Sequence, residues 1–322
     1  MRRRLLLNSA VRTAVRKTLS SRGLVEVVTP VTTLAPGGEA HLEAPAVDLT
    51  ALGAKTRRVF LRTSPEVWHK RLLAQGAGPL FEIAPCIRDE EGGPWHDLEF
   101  EMVEWYRPGA EPEALQADCI ALVEAAFEAA GHPRQFPVRH QRVSELFASF
   151  LQLELDPEEP AASFAQRLQT RGVAVRPDES WDELFYFAWV EVIEPRLKDM
   201  GFLFISGFPA SQAAMAKLED DDPRFADRFE LYLDGIELAN AFTELTDGEI
   251  LAKRYRHWQA ERVSRGRPAY PEDPDFFAAV DLMPPTVGIA LGLDRLTALA
   301  MGENDLAAVK AIHLGRLLGA PS

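Results

Sequence analysis

The chain is poor in cysteine: its 322 residues hold only Cys86 and Cys119. Two thiols exclude a disulfide-rich scaffold and a four-cysteine zinc site, and they read as buried free thiols of a reducing cytoplasm. No unbroken apolar run reaches the roughly 18 residues that span a bilayer, so no membrane partner is expected. Positive charge is in deficit, with 35 Lys+Arg against 49 Asp+Glu and a formal net charge of −14. That is the wrong sign for a protein held on nucleic acid through its phosphates. Repeats, low-complexity tracts and Pro/Ser-rich linkers are absent as well. The first 25 residues lack any acid while carrying Arg2, Arg3, Arg4, Arg12, Arg16, Lys17 and Arg22, a composition that organellar transit peptides share. Against that reading, Leu5, Leu6, Ala10, Val11, Ala14, Val15 and Leu19 recur at helical spacing with Gly23 behind them. We expect a helix with a basic face and a glycine C-cap.

What is present is ordinary globular material, 47% apolar and 26% charged, enough to build a core. Length alone suggests two domains, but no composition shift divides the chain. A single domain over 1–322 is expected, with a mostly helical insertion around 140–200. Leu24 to Thr32 reads as a strand broken at Pro30, and Pro36-Gly37-Gly38 as a loop. Val59 to Leu61 reads as a strand, and Thr63-Ser64-Pro65-Glu66 as a helix start running to about Ala74. Pro79 to Ile87 and Leu98 to Tyr106 predict a long antiparallel hairpin around the polar turn Arg88 to Asp97. Helices are expected over Glu113–Gly131 and Ala252–Arg265, and a last one from Asp294 to Gly302. Strands are expected over Leu203–Phe208, within Phe229–Thr246 and over Thr286–Gly292. Strands and helices do not alternate regularly, so the fold class is α+β, with a mainly antiparallel sheet flanked by helices.

Three segments could carry chemistry. Strand alternation puts Phe100, Met102, Glu104 and Tyr106 on one face, where a buried carboxylate needs a partner. Across the turn, Arg88 and Glu90 are expected to share a face, and an arginine there can hold a phosphate or carboxylate in bidentate fashion. In the second segment Asn240, Phe242 and Glu244 alternate, and Glu230 and Glu237 flank a turn at Asp234-Gly235. Converging carboxylates suit either Mg²⁺ or an ammonium ligand. In the third, Gly288, Ala290 and Gly292 leave one strand face bare enough for a flat ligand to approach the backbone, with Arg295 just behind at a helix start. The third glycine of a dinucleotide fingerprint is missing there.

Taken in order, Pro30, Arg88-Asp89-Glu90, His96 to Phe100 and Gly292 to Arg295 resemble the motifs of class II aminoacyl-tRNA synthetase catalytic domains. Ser64-Pro65-Glu66, Met102-Val103-Glu104-Trp105-Tyr106 and Glu237 through Leu245 are similar to segments of the lysyl branch. The resemblance runs from about Leu5 to Gly302. The chain starts directly at the first catalytic helix, so the anticodon-binding barrel of lysyl-tRNA synthetases is not expected. Phe208-Pro209-Ala210-Ser211-Gln212-Ala213, and Ala290 where lysyl-tRNA synthetases usually have glycine, resemble the family of elongation factor P–(R)-β-lysine ligases.

That resemblance implies an ATP-dependent, AMP-forming amino acid ligase that uses Mg²⁺. It activates lysine or β-lysine and transfers it to a lysine of elongation factor P, with tRNA disfavoured as a partner. It implies a cytoplasmic homodimer with its interface near Pro30. Arg88 and Arg295 would be catalytic. Arg88, Asp89, Glu90, His96, Asp97, Phe100, Glu237, Leu238, Gly292 and Arg295 would bind ATP, with Phe100 stacked on adenine and His96 at the outer phosphates. Ser64, Pro65, Glu66, Glu104, Tyr106, Asn240, Phe242, Glu244 and Ala290 would form the substrate pocket, with Glu244 and Tyr106 taking the side-chain ammonium. Glu230 and Glu237 would hold the metal. Asp97 stands where the family commonly has asparagine, which sets a carboxylate against the phosphates unless it faces a metal or a lysine instead. Two other readings stay open: a minimal enzyme charging tRNA with α-lysine, and a catalytically inactive lysyl-like module.

Overall fold

The computed structural model describes residues 2–37, 39–176 and 178–319; Gly38 of the expected Pro36-Gly37-Gly38 loop lies outside them. The chain falls into two compact units, Met1–Gln135 together with Glu244–Ser322, and Phe136–Thr243.

In the first unit the basic N-terminal segment is a helix, Arg2–Ser21. It buries Val11, Val15 and Leu19 at a spacing of four and is followed by Gly23 at φ +86°, the left-handed conformation that glycine adopts without a Cβ penalty. Four strands pair in the order Val25–Glu26, Leu80–Ile87, Glu99–Pro108, Thr286–Gly292. The first pair is parallel and the other two are antiparallel. The expected hairpin is present, with Leu80 opposite Tyr106, Glu82 opposite Glu104 and Ala84 opposite Met102. On the other side Gly288 opposes Tyr106, Ala290 opposes Glu104 and Gly292 opposes Met102. Residues directly opposite share a face, so Glu82, Glu104, Tyr106, Gly288 and Ala290 lie on one surface. The other surface carries Phe81, Ile83, Val103, Trp105, Val287, Ile289 and Leu291, all buried. Each such side chain contributes about 1.5–3 kcal/mol over exposure. Trp105 Nε1 and the Arg107 guanidinium donate to Asp118 of the helix Pro112–Ala129, which fixes that helix against the strand.

The expected strand from Leu24 to Thr32 is split more completely than its proline suggested. Val25–Glu26 joins the main sheet, whereas Thr32–Thr33 joins a small sheet with Arg57–Leu61 and Ala46–Leu49. Pro30 has no N–H for a ladder, and the Thr29 and Pro30 carbonyls are taken by Arg62 instead. The charged helix begins earlier than expected, spanning Gly248–Ser264 with the Asp247 carboxylate accepting from the Ile250 amide. A helix over Pro274–Val280 was not anticipated, although Asp273-Pro274 is a cap followed by a first-turn proline. The helix Leu293–Ala300 is not the last, because short turns over Leu306–Ala308 and Leu314–Leu317 follow it. Both cysteines are free and buried; burial pushes the Cys86 thiol up to about 12.

The second unit pairs Ile236–Thr243, Phe225–Leu233, Phe202–Pro209 and Val138–Arg142 in that order; only Val138–Arg142 pairs in parallel. Asp234 and Gly235 connect two of the strands at φ +50° and +85°, the left-handed pair that a tight hairpin demands. The expected helical stretch is present as Val143–Leu151, Ala161–Thr170 and Trp181–Ala188, continued by a wider turn over Trp189–Ile193. Its core is a run of rings, Phe147, Phe164, Trp181, Phe185 and Trp189, with successive centroids 5.1–6.3 Å apart. Antiparallel pairing dominates both units, as the α+β reading expected.

Candidate functional site

The first group of site residues is a buried carboxylate pocket in the first unit. The helix Glu66–Ala74 begins at Pro65, and the Ser64 hydroxyl accepts from the Glu66 amide at 3.0 Å. Ser64 also donates to Glu104. Glu104 accepts from the Tyr106 hydroxyl at 3.2 Å and lies 3.5 Å from Nδ1 of His69. The other ring nitrogen of His69 is 3.0 Å from Glu82, which in turn pairs with Arg62 at 3.0 Å. Burial pulls the His69 ring toward neutrality, but the hydrogen bonds and charges of Glu104 and Glu82 outweigh it and raise its pKa.

Glu66 and Glu244 meet at Lys70. The Lys70 ammonium lies 2.6 Å from Glu66 and 2.8 Å from Glu244, and its side chain is sealed from solvent. Burial lifts both carboxyls above the usual range; Lys70 opposes the shift, and the other glutamates add to it. Glu244 is pushed up to about 7. Tyr106 is pushed well above its ordinary value by burial and by Glu104, Glu66 and Glu244, so its phenol stays a donor. Gly288 makes room for this group: a Cβ there would fall 2.2 Å from Glu244 Oε1 and 2.4 Å from the Tyr106 ring. Ala290 packs beside Phe100 over Ala84, Cys86 and Met102.

The second group lies on the hairpin tip. The Arg88 guanidinium stands 5.0 Å from the Phe100 ring centroid. Arg295 donates to the Trp95 carbonyl at 3.1 Å and lies 2.7 Å from Nε2 of His96. Gly292 caps the helix that carries Arg295. Glu91, which the sequence reading passed over, lies 3.9 Å from both Arg88 and His96. Arg88 and Glu90 do not share a face. Strand geometry ends at Ile87, Glu90 is left-handed at φ +62°, and its carboxylate turns out to Arg267. Asp89 pairs its backbone with Glu43. Asp97 faces a lysine: its buried carboxylate takes Lys310 at 2.6 Å and the amides of Leu314 and Gly315 at 3.2 and 2.8 Å.

The remaining site residues belong to the second unit. Glu230 pairs with Arg228 and accepts from the Tyr232 hydroxyl at 3.0 Å. Arg228 also donates to Asn240 at 2.9 Å and stands over the rings of Phe208 and Phe242 at 4.4 and 5.6 Å. Its Nη1 donates to the Gln212 carbonyl at 2.7 Å, so the Phe208–Ala213 segment holds this arginine. Burial lifts the Glu230 carboxyl to about 7, opposed by Arg228 and reinforced by Glu237. Leu238 is buried. Among the described residues no group of three or more His, Cys, Asp or Glu is placed to hold a metal. Two carboxylates that repel each other still fit a hard divalent cation whose remaining ligands are phosphate and water.

A sheet face lined with carboxylates and bare glycine, beside arginines at a hairpin tip and a helix start, is the arrangement of an amino-acid-activating domain. The chain belongs to the class II tRNA synthetase (D, K and N) family, whose sequence pattern matches residues 1–312. It is 34% identical over 318 residues to the elongation factor P–(R)-β-lysine ligase of Proteus mirabilis (strain HI4320), a match covering 97% of this chain and 95% of that one. No helix of the described residues is long and apolar enough to cross a membrane.

Proposed function

We propose that this protein activates β-lysine with ATP and ligates it to a lysine side chain of elongation factor P. The observation that carries the proposal is the trio Glu66, Glu104 and Glu244, faced by two cations, Lys70 and His69: the pocket is left with one negative charge, and a lysine-type ammonium completes it. The name of the 34% identical relative supports the acceptor and the β-amino acid.

The chemistry then follows. A carboxylate is a poor acyl donor because its leaving oxygen is too basic. The substrate carboxylate therefore attacks the α-phosphorus of ATP, pyrophosphate leaves, and an aminoacyl adenylate forms. Arg88 and Arg295 would meet the phosphate charge as it moves, which is stabilisation by preorganised cations. Glu91, 3.9 Å from Arg88, lies where that guanidinium would take an anion. Phe100 offers its ring to the adenine, and Glu90 reaches the exocyclic amine only by leaving Arg267. Glu230 and Glu237 would hold Mg²⁺, which supplies charge neutralisation at phosphate oxygens when bound. The ε-amine of the acceptor lysine, once neutral, attacks the activated carbonyl, forms the amide and releases AMP.

Val25, Val28, Val31 and Leu34, all within five residues of Pro30, are exposed; this supports a dimer interface there. We propose that both units act as one catalytic domain. ATP–pyrophosphate exchange with (R)-β-lysine, (S)-β-lysine and α-lysine tests the activation step. Exchange strongest with (R)-β-lysine is expected, and no exchange with any of the three would overturn it.

A further inference from the structure

The group that the sequence reading did not use is Lys70. It lies one helical turn beyond Glu66 and is sealed from solvent between Glu66 and Glu244. Within the same buried neighbourhood stand Glu104 and Tyr106 from the strand, His69 from the helix and, behind His69, Glu82 paired with Arg62; Glu39 contributes a further negative charge toward Glu66. Both ring nitrogens of His69 face carboxylates, which favours its imidazolium form, so the His69–Glu82–Arg62 chain carries one net positive charge, set against Glu104. The three pocket carboxylates Glu66, Glu104 and Glu244 thus face two counter-charges, Lys70 and His69, and one negative charge is left over.

Resting on the function proposed above, we propose that Lys70 is a positioning residue that sets the charge of the amino-acid pocket, holding Glu66 and Glu244 apart and biasing them toward the ionised form, so that one further ammonium, the substrate's, completes the cluster. Glu66 and Glu244 are glutamates of like charge in a dry environment, and without a cation between them they would share a proton. A carboxyl pair that shares a proton offers a neutral hydrogen bond where the substrate needs a charge. Lys70 opposes this while its own ammonium is held between the two carboxylates, so it cannot be the cation that leaves.

Two consequences distinguish this from simple structural support. Glu244 rests near 7 before substrate arrives. A second ammonium favours its ionised form, so binding releases protons below pH about 7 and affinity for the amino acid falls as pH falls through that range. Removing Lys70 takes away the charge that lowers Glu244, so the fall moves to higher pH.

The test is pyrophosphate exchange between pH 6 and 9 with the wild type, Lys70→Met and Lys70→Arg, together with calorimetric proton release on binding of the amino acid to the wild type. For Lys70→Met we expect the KM of the amino acid to rise about tenfold or more at pH 7, and its pH midpoint to move up by about one unit or more. The KM of ATP should be unchanged, and Lys70→Arg should restore most of the loss. An amino-acid KM and pH midpoint equal to wild type overturn the role of Lys70 while leaving the function intact. A KM that rises equally for ATP and amino acid overturns it as well. If Lys70→Met does not fold, Lys70→Gln takes its place: a raised amino-acid KM with an upward pH midpoint supports the role, and values equal to wild type refute it. A wild type with no exchange takes down both proposals together.

Discussion

The Lys70 ammonium lies 2.8 Å from Oε2 of Glu244, and a Cβ at Gly288 would lie 2.2 Å from the other oxygen of the same carboxylate. One glutamate is therefore charged from one side and confined from the other. Its reach toward a ligand is fixed by a helix, a strand and the absence of a side chain.

Gly288→Ala should act on the pocket directly. The added methyl meets both Glu244 and Tyr106, so either must move. We expect amino-acid KM to rise about tenfold or more, with ATP KM little changed, as for loss of one charge-assisted hydrogen bond worth about 1.5–3 kcal/mol. Gly292→Ala is the control: its methyl would lie 3.5 Å from the Arg295 side chain, an ordinary contact. Steady-state exchange on the two variants compares them.

Asp97→Asn tests the carboxylate that grips the C-terminal segment. Burial raises the Asp97 carboxyl, but Lys310 and the Gly315 amide outweigh burial and hold it below its usual range. A depressed carboxyl stabilises the fold above its unfolded value, near 3.8, and that contribution is lost as pH falls through the lower folded value. Thermal melting should show the wild type more stable than the variant at neutral pH by about 1–3 kcal/mol. The gap should close as pH falls below 3.8 and the folded carboxylate takes up its proton.

Much of the fold was open to sequence reading because its signals are local. The hairpin Leu80–Pro108 follows from alternation on either side of a Gly-rich turn, and the N-terminal helix from apolar spacing of three and four. The charge pairing was not legible. Lys70 looks like an ordinary surface partner for Glu66 at i,i+4, and only the fold turns that helix face inward. Arg228 shares a strand face with Glu230 by alternation, so the signal existed and went unused. The expected pairing of Arg88 with Glu90 failed because a left-handed residue ends the strand pattern.

Arg88→Lys should separate charge from shape. The guanidinium lies against Phe100, and an ammonium keeps the charge but loses the planar fork and the stacking. We expect kcat for exchange to fall about 100-fold, as for one lost donor to developing charge, while Tm changes little. An activity within a few-fold of wild type would remove Arg88 from the phosphate site.

Val28→Asp addresses the exposed apolar residues near Pro30; Val28 is 91% exposed. If they form a two-fold interface, the wild type should elute as a dimer in light-scattering chromatography and the variant as a monomer. A monomeric wild type would contradict that interface.

The central claim is the acceptor, and intact mass spectrometry of elongation factor P tests it most directly. Incubated with this protein, ATP and (R)-β-lysine, the factor should gain the mass of one lysyl residue on a single lysine. The gain should be absent without ATP and absent with Glu244→Gln. Unmodified elongation factor P beside aminoacylated tRNA in a parallel reaction would contradict the account.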